Sequence, residues 1–212
     1  MYLPSHFAQD DPALLLDVMR RHTFATLVTA EDGVPLATPL PLLARREDDG
    51  FRIEGHMARA NPQWQAFERG ATALAIFHGP HAYISPTQYK SSERVPTWNY
   101  VTVQATGKAH TVHDRQRKLA TLERLIAHHE VSYQAQFERM RPELLDVMLD
   151  AIVAFEIRVE KVEGKFKLNQ HRLADLRPEV QALHESGSLD EREMAQWMKR
   201  LGYWIDSPRS DD

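Results

Sequence analysis

The hydrophobic positions of this sequence follow a helical period first and a strand period soon afterwards. Apolar residues recur on one face over residues 12–22, and Asp11-Pro12 supplies a capping residue followed by a first-turn proline, so a short amphipathic helix is predicted. Two apolar, β-branched runs follow over residues 24–29 and 34–43, separated by the turn residues Glu31-Asp32-Gly33. This arrangement predicts a β-hairpin with a tight turn.

Three prolines lie in the second strand of that hairpin, namely Pro35, Pro39 and Pro41. Proline has no N–H group to donate to a neighbouring strand, so it is rarely found where a strand is paired on both sides. We therefore expect this strand to lie at an edge of the sheet or at a bulge.

Strand-like and helix-like segments continue to alternate along the rest of the chain. The further predicted strands cover residues 51–57, 72–77, 82–84, 102–112 and 152–162. The further predicted helices begin at Asn61-Pro62, after Asp114, at Pro142 and after Ser188, where Ser188 and Glu191 have capping-box spacing. Short strands separated by turns, without a repeating parallel βαβ unit, are typical of a small closed or partly open barrel. The predicted fold class is mainly β with helical additions (α+β), with about six strands.

The composition indicates a globular protein. Hydrophobic residues make up 42% and charged residues 26% of the 212 positions, which is the ordinary range for folded domains. We expect one barrel domain over residues 1–183, a C-terminal amphipathic helix over residues 184–205 that packs on it, and a flexible tail over residues 206–212.

The absence of cysteine excludes disulfides, thiolate nucleophiles, thiolate zinc sites and cysteine-ligated iron-sulfur clusters. A formal net charge of −4 gives no general attraction to the phosphate backbone of nucleic acids. No segment approaches the roughly 20 apolar residues of a membrane span, and residues 1–11 lack the basic-then-apolar pattern of an export signal. We therefore expect a cytoplasmic protein with no membrane segment.

The histidines and glycines give no recognisable catalytic motif. The close histidine groups, His78 with His81, His110 with His113, and His128-His129-Glu130, do not form a metal-ligand set, so no metal is expected. The sequence contains no glycine-rich dinucleotide fingerprint, no phosphate-binding P-loop and no Gly-x-Ser-x-Gly nucleophile elbow.

The segment over residues 55–62 is the first candidate binding site, because it runs from a strand end into a predicted helix start. It contains His56, Arg59 and Asn61. Unpaired backbone N–H groups at such a junction, together with the forked guanidinium of Arg59, would suit a phosphate monoester. In the alternative interpretation, Asn61 caps the helix and Arg59 lies in solvent.

The segment over residues 163–172 is the second candidate, and its polar side chains are Lys165, Lys167, Asn169, Gln170 and Arg172. The three cations could meet the charged tail of a ligand, and the two amides could pair with the polar edge of a heterocycle, since amides both donate and accept hydrogen bonds. A solvated basic loop is the alternative.

The third candidate comprises residues 79–86 and 95–100, which are rich in aromatic residues and prolines. Trp98 and Tyr100 could flank a planar ring, and Asn99 could orient that ring. The alternative is core packing of Tyr83, Trp98 and Tyr100.

Five segments of the chain, in this order, resemble the PaiB-like family, which is named for FMN-binding transcriptional regulators. They are Met1-Tyr2-Leu3-Pro4 with His6-Phe7, residues 55–62, residues 79–86, residues 96–100 and residues 163–170. The resemblance covers residues 1–183 and implies a six-stranded antiparallel FMN-binding split barrel. It further implies a homodimer that holds FMN in a cleft lined by both subunits.

The resemblance also implies roles for the three candidate segments. Arg59 and the backbone near Asn61 would anchor the FMN phosphate. The second set, which comprises Lys165, Lys167, Asn169, Gln170 and Arg172, would contact the second subunit or the ring edge. The candidate walls of the site would be Trp98, Asn99 and Tyr100. Asn169 stands where many relatives carry serine, and residues 187–212 lie outside the resemblance.

Three functions remain open at this point. The family name implies a negative transcriptional regulator, although no helix-turn-helix with a basic recognition helix is evident, so DNA contact would use an unidentified surface or an indirect route. The alternative is a flavin-dependent oxidoreductase that moves electrons from a reduced nicotinamide to a small acceptor, with His81 and Tyr83 as candidate proton donors. The third is a flavin-free or haem-binding split barrel.

Overall fold

The computed structural model describes residues 1–177 and 184–204. Its chain divides into two compact units. Unit 1 consists of Met1–Val18, His78–Val103 and Glu163–Asp212, and unit 2 consists of Met19–Phe77 and Gln104–Val162. The predicted tail over residues 206–212 lies outside the described residues.

Seven strands and six helices over the described residues carry the fold. The strands are β1 (Ala8–Gln9), β2 (Phe24–Glu31), β3 (Val34–Glu47), β4 (Gly50–Ala58), β5 (Thr72–Ile84), β6 (Thr97–Val112) and β7 (Ile152–Lys167). The helices are α1 (Pro12–Arg21), α2 (Trp64–Glu68), α3 (Arg115–His129), α4 (Gln134–Phe137), α5 (Pro142–Asp150) and α6 (Leu189–Arg200).

The strands form one antiparallel sheet in the order β1-β7-β4-β3-β2-β5-β6, and a further pairing joins β7 to β6. The predicted fold class, mainly antiparallel β with helical additions, is confirmed. The sheet contains seven strands instead of about six, because the two-residue strand β1 gives no periodic signal in the sequence.

The hairpin of β2 and β3 in unit 2 forms as predicted. Asp32 and Gly33 have φ values of 50° and 80°, which is the conformation of a two-residue type I′ turn. The register of β3 with β4 runs from Leu42 to Glu47. β3 lies between β4 and β2, so the predicted edge position is wrong for the strand as a whole. Its prolines are tolerated because the proline-rich part lies outside the register with β4 and pairs with β2 instead.

In unit 2, the close approach of β6 to β7 explains why position 107 is a glycine. A Cβ atom at Gly107 of β6 would overlap with the carbonyl oxygen of Arg158 on β7. Only glycine allows the two backbones to approach this closely.

Unit 1 packs α6 against the end of β7. The predicted capping box is present, because Ser188 and Glu191 exchange side-chain to backbone hydrogen bonds at the start of α6. The helix buries Met194 and Trp197, and the Trp197 ring meets Phe166 of β7 edge-on at a centroid distance of 5.3 Å.

Several strand boundaries differ from the prediction, and β3 continues to Glu47 instead of ending at residue 43. Residues 72–77 and 82–84, which are predicted as two strands, belong to one strand, β5. Gly79 remains in the strand because its small size allows β6 to approach: a Cβ there would lie 2.9 Å from the carbonyl oxygen of Val101. Likewise β6 begins at Thr97, and β7 continues to Lys167.

Candidate functional site

Arg59 of unit 2 lies directly after β4 and is held against the end of α5. Its Nε donates to the carbonyl oxygen of Asp150 at 2.5 Å, and its Nη2 donates to that of Ile152 at 3.1 Å. Its backbone N–H donates to Ala151 at 2.8 Å. The exposed guanidinium therefore has a structural role, and it retains N–H donors that could meet an anion because it carries five in all.

The helix expected at Asn61 begins later and is short. Asn61 Oδ1 accepts the backbone N–H of Gln63 at 3.0 Å, and its Nδ2 donates to Thr38 Oγ1 at 3.1 Å. The helix itself, α2, starts at Trp64 and has only five residues. The prediction of a helix that begins at Asn61 is therefore wrong. Pro62 and Gln63 form a turn before α2, and α2 is too short to have a substantial helix dipole.

Sequence reasoning missed Gln63, which is buried beneath this turn. Its Nε2 lies within hydrogen-bond distance of the Leu27 carbonyl at 3.2 Å, the Thr29 hydroxyl at 3.2 Å and the Leu36 carbonyl at 3.0 Å. The amide thus joins the turn to both strands of the β2–β3 hairpin. No signal in the sequence identifies it, because its three acceptors are 27 to 36 positions away.

His56 is half-buried on β4, where it pairs with Ala154 of β7. Its Nδ1 is buried and has no hydrogen-bond partner among the described residues. Burial lowers the pKa of His56 below its ordinary value. The imidazole is therefore neutral near neutral pH and can form one more hydrogen bond.

Unit 1 gathers the predicted cations at the end of β7. Lys167 contacts the hydroxyl of Thr97, and Lys165 Nζ lies 5.4 Å from the centroid of the Tyr100 ring. The pKa of Lys167 is lowered first by burial and then by the positive charges of Lys165 and Arg172. Lys165 and Arg172 both repel the positive charge of Lys167, so an anion bound near these three residues would be stabilised.

Two buried asparagines of unit 1 have unused hydrogen-bonding groups. Both side-chain atoms of Asn99 lack a partner within residues 1–177 and 184–204, and so does Nδ2 of Asn169. Asn169 Oδ1 accepts the hydroxyl of Tyr89 at 3.2 Å. An unpartnered buried polar group costs about 1–3 kcal/mol, so a ligand that pairs with these amides would gain from doing so.

The backbone of Asn169 adopts a left-handed conformation, with φ of 61°. Asparagine tolerates this region better than most residues, which gives a conformational reason for it at this position. This residue lies two positions after the end of β7.

Both ends of the Gln170 amide are hydrogen-bonded within unit 1. Its Oε1 accepts the N–H of Leu168 at 2.8 Å, and its Nε2 donates to the carbonyls of Phe166 at 2.6 Å and His6 at 3.0 Å. Gln170 therefore holds the N-terminal segment against the end of β7 and has no free group for a ligand.

The predicted aromatic wall is an exposed cluster in unit 1. Trp98 meets Tyr83 at a centroid distance of 5.7 Å and His81 at 5.9 Å, and all three side chains are about half exposed. The side chain of the next residue, Asn99, lies on the opposite face of β6 and is buried, because successive side chains of a strand alternate between its two faces.

The structure thus distributes the predicted residues over two sets. His56, Arg59 and Asn61 belong to unit 2, and the other eight belong to unit 1. Over the described ranges, no group of three or more metal-ligating side chains could hold a metal ion. A membrane-spanning helix is likewise not found among the described residues.

Comparisons with known proteins agree with the predicted family. Residues 1–161 match the sequence model of the family described as "Putative FMN-binding domain". The chain is 36% identical over 203 residues to the protease synthase and sporulation protein PAI 2 of Bacillus subtilis strain 168, covering 94% of this chain and 97% of that protein.

Two solved structures share the fold. The flavocytochrome Anf3 from Azotobacter vinelandii has a TM-score of 0.61 at 19% identity, covering 76% of this chain and 69% of that chain. The FAD and heme binding protein from Mycobacterium smegmatis has a TM-score of 0.61 at 18% identity, covering 76% and 73%. At these identities the likeness concerns the fold alone, and the predicted split-barrel fold is confirmed.

Proposed function

We propose, from the premise that this chain belongs to the "Putative FMN-binding domain" family, that it binds FMN and acts as a negative transcriptional regulator of the PaiB type. The relation to the PAI 2 protein over nearly the full length of both chains supports the regulatory part. The observation that carries the FMN part is the buried, unpartnered amide of Asn99 on β6, the strand whose Thr97 contacts Lys167.

The donors of unit 1 fit the polar groups of a flavin. Asn99 and Asn169 offer free amide atoms for the polar edge of the ring. Trp98 lies on the opposite face of β6 from Asn99, where it offers a separate exposed surface for stacking. Lys165, Lys167 and Arg172 supply positive charge for an anionic group. When bound, FMN supplies reversible electron transfer, while these residues orient it and exclude water.

The residues of unit 2 are proposed separately as phosphate contacts. Arg59 keeps unused N–H donors beside its two carbonyl partners, and His56 keeps an unpartnered Nδ1. Asn61 contributes through the turn that it closes with Gln63.

An indirect route to gene regulation is favoured over direct DNA binding. The most basic helix of the described residues, α3, has its cations engaged within unit 2: Arg115 with Asp146, Arg117 with Glu156, Arg124 with Glu54, and Lys118 with the carbonyl of Leu149. The carboxylates and the carbonyl that these cations contact offset much of their charge, so the helix has little net attraction for the phosphate backbone of DNA. This helix therefore does not resemble a recognition helix.

A flavin-dependent oxidoreductase is the second candidate. His81 and Tyr83 are exposed beside Trp98, the proposed ring contact, so either could deliver a proton to a substrate there. Oxidation of reduced nicotinamide by the FMN-loaded protein, faster than by free FMN, would favour this function. Absence of such turnover together with loss of target-gene repression in a deletion strain would favour the regulator.

A homodimer in the cytoplasm completes the proposal. Phe24, Val34 and Leu36 are exposed apolar residues on the β2–β3 hairpin, and a second copy of the chain would cover them. Light scattering of the purified protein measures the assembly directly. A monomer at all concentrations would contradict the dimer.

The central experiment is a titration of the purified protein with FMN, FAD and haem, followed by absorbance and by calorimetry. We expect tightest binding of FMN, and Lys167→Gln should weaken it about tenfold because it removes a charge-assisted contact. Lys108→Gln in unit 2 is a matched control, because Lys108 bonds to Gly70 and Thr72 and takes no part in either set. Failure of wild-type protein to bind FMN would refute the proposal, as would equal affinity in Lys167→Gln and the control.

A further inference from the structure

A cavity of about 390 Å³ in unit 2 lies outside both proposed FMN-contact sets. It opens between α3 and the strands β3, β4 and β7. Its lining consists of Arg45, Glu47, Arg52, Arg117, Ala120, Arg124 and Glu156. Four of these seven lining residues are arginines.

Each of the two carboxylates in the lining forms ion pairs with two arginines. Glu47 accepts two hydrogen bonds of 2.7 Å from Arg52 and a third contact of 3.1 Å from Arg45. Glu156 pairs with Arg52 at 3.3 Å and with Arg117 at 3.1 Å. Each carboxylate is thus shared between two guanidinium groups, so neither repels an incoming anion as a free carboxylate would.

The direct ion pairs of the lining are fewer in carboxylates than in arginines. Arg124, the remaining arginine, pairs with the buried Glu54. Three carboxylates, Glu47, Glu54 and Glu156, thus contact four guanidinium groups, while Asp49 and Glu123 act electrostatically on Arg52 and Arg124.

The unused donors belong to Arg45 and Arg117. Nε of Arg45 is buried and has no hydrogen-bond partner among the residues that the structure describes. Arg117 is 61% exposed and uses Nη2 for Glu156, which leaves the rest of its fork open. Arg45 is 35% exposed and uses Nη2 for Glu47, so the accessible part of its guanidinium can also donate to an oxyanion in the cavity.

We propose that this cavity binds a small organic anion through a carboxylate or phosphate group, held by Arg45 and Arg117. The volume lies within the roughly 300–1,000 Å³ range of small-molecule sites, and the planar fork of arginine matches both kinds of oxyanion. The paired Arg52 and Glu47 form the rigid wall of the site. Such a site gives the protein a second ligand besides flavin.

The test is calorimetric titration of the full chain with citrate, malonate and inorganic phosphate at constant ionic strength set with chloride. Saturable binding of at least one probe is expected. Arg45→Gln and Arg117→Gln should each weaken it about tenfold or more, whereas Arg117→Lys should keep part of the affinity through its charge. Arg158→Gln is the matched control, because Arg158 forms an exposed pair with Asp49 and does not line the cavity.

Two further measurements separate this site from its alternatives. The far-ultraviolet circular dichroism and the melting temperature of each variant show whether the fold is retained. Phosphate binding is repeated in Lys167→Gln, which alters the proposed FMN contacts and leaves the cavity intact. No saturable binding by wild-type protein, or unchanged affinity in both glutamine variants, would overturn the proposal and leave the arginines a purely structural ion network.

Discussion

Arg124 of α3 holds the buried carboxylate of Glu54 on β4 through two parallel hydrogen bonds, Nε to Oε1 and Nη2 to Oε2, each 2.6 Å long. Glu54 is only 1% exposed, whereas Arg124 reaches solvent. The carboxylate raises the pKa of Arg124 above its ordinary value, chiefly through these hydrogen bonds. The pair joins a helix to a strand 70 positions away and fixes α3 over unit 2.

Replacing Arg124 by alanine should destabilise the protein, because Glu54 would stay buried without a counter-charge. The expected loss in the free energy of unfolding is about 3 kcal/mol, at the lower end for buried pairs since Arg124 is partly exposed. Urea denaturation measures it. Arg158→Ala, which breaks the exposed pair with Asp49, should change stability by less than about 1 kcal/mol. Equal effects of the two variants would contradict the prediction.

Asn99→Leu should have opposite effects on stability and on FMN binding. A leucine of similar volume removes two unpartnered buried polar atoms, so the flavin-free protein should be as stable as wild type or more stable, by about 1 kcal/mol. FMN affinity should fall because the proposed ring-edge partner is gone. Thermal unfolding with and without FMN measures both properties. A marked loss of stability without flavin would mean that the amide has a partner in the folded protein.

Arg59→Ala should lower stability as well as FMN affinity. The side chain donates to the carbonyls of Asp150 and Ile152, and its removal should cost about 1 kcal/mol. Arg59→Lys cannot bridge both carbonyls but keeps the charge, so it should lose similar stability while retaining part of the FMN affinity. Arg69→Ala, which breaks an exposed pair with Glu31, is the control for loss of a surface arginine. If Arg59→Ala binds FMN as wild type does, Arg59 is purely structural.

His184 should make the protein less stable as the pH falls. Burial lowers the pKa of His184, and the nearby Glu191 opposes this effect only in part. Below a pH of about 6.5 the unfolded chain takes up a proton at this histidine that the folded chain does not, so stability is complete above that pH and declines below it. The difference between wild type and His184→Gln, measured by urea unfolding from about pH 7 to about pH 5, isolates this contribution. A difference that does not change with pH would contradict it.

Wild type must be compared with His184→Gln because other histidines also have lowered pKa values. Burial also lowers the pKa of His56, His129 and His171, so the wild-type pH dependence contains several contributions in the same range. The paired carboxylates Glu47 and Glu191 have lowered pKa values, and their stabilisation is lost only below about pH 4.5. The two windows are therefore separable.

The sequence by itself determined the elements whose signals are local. The proline-started helix α1, the Asp32-Gly33 turn and the Ser188–Glu191 capping box all form where they were predicted, because each depends on residues within a few positions of one another. The family was also determined by sequence, since its five segments are continuous stretches of the chain.

The tertiary structure alone decided which polar groups are buried and which are used. Nothing near Asn99 in the sequence shows that its amide lacks a partner, and nothing near Gln63 or Glu54 reveals acceptors and donors tens of positions away. Gly79-Pro80, a breaker by local rules, continues β5 because packing against Val101 outweighs propensity. Burial and pairing are properties of residues brought together by folding, so hydrophobic periodicity along the chain does not contain them.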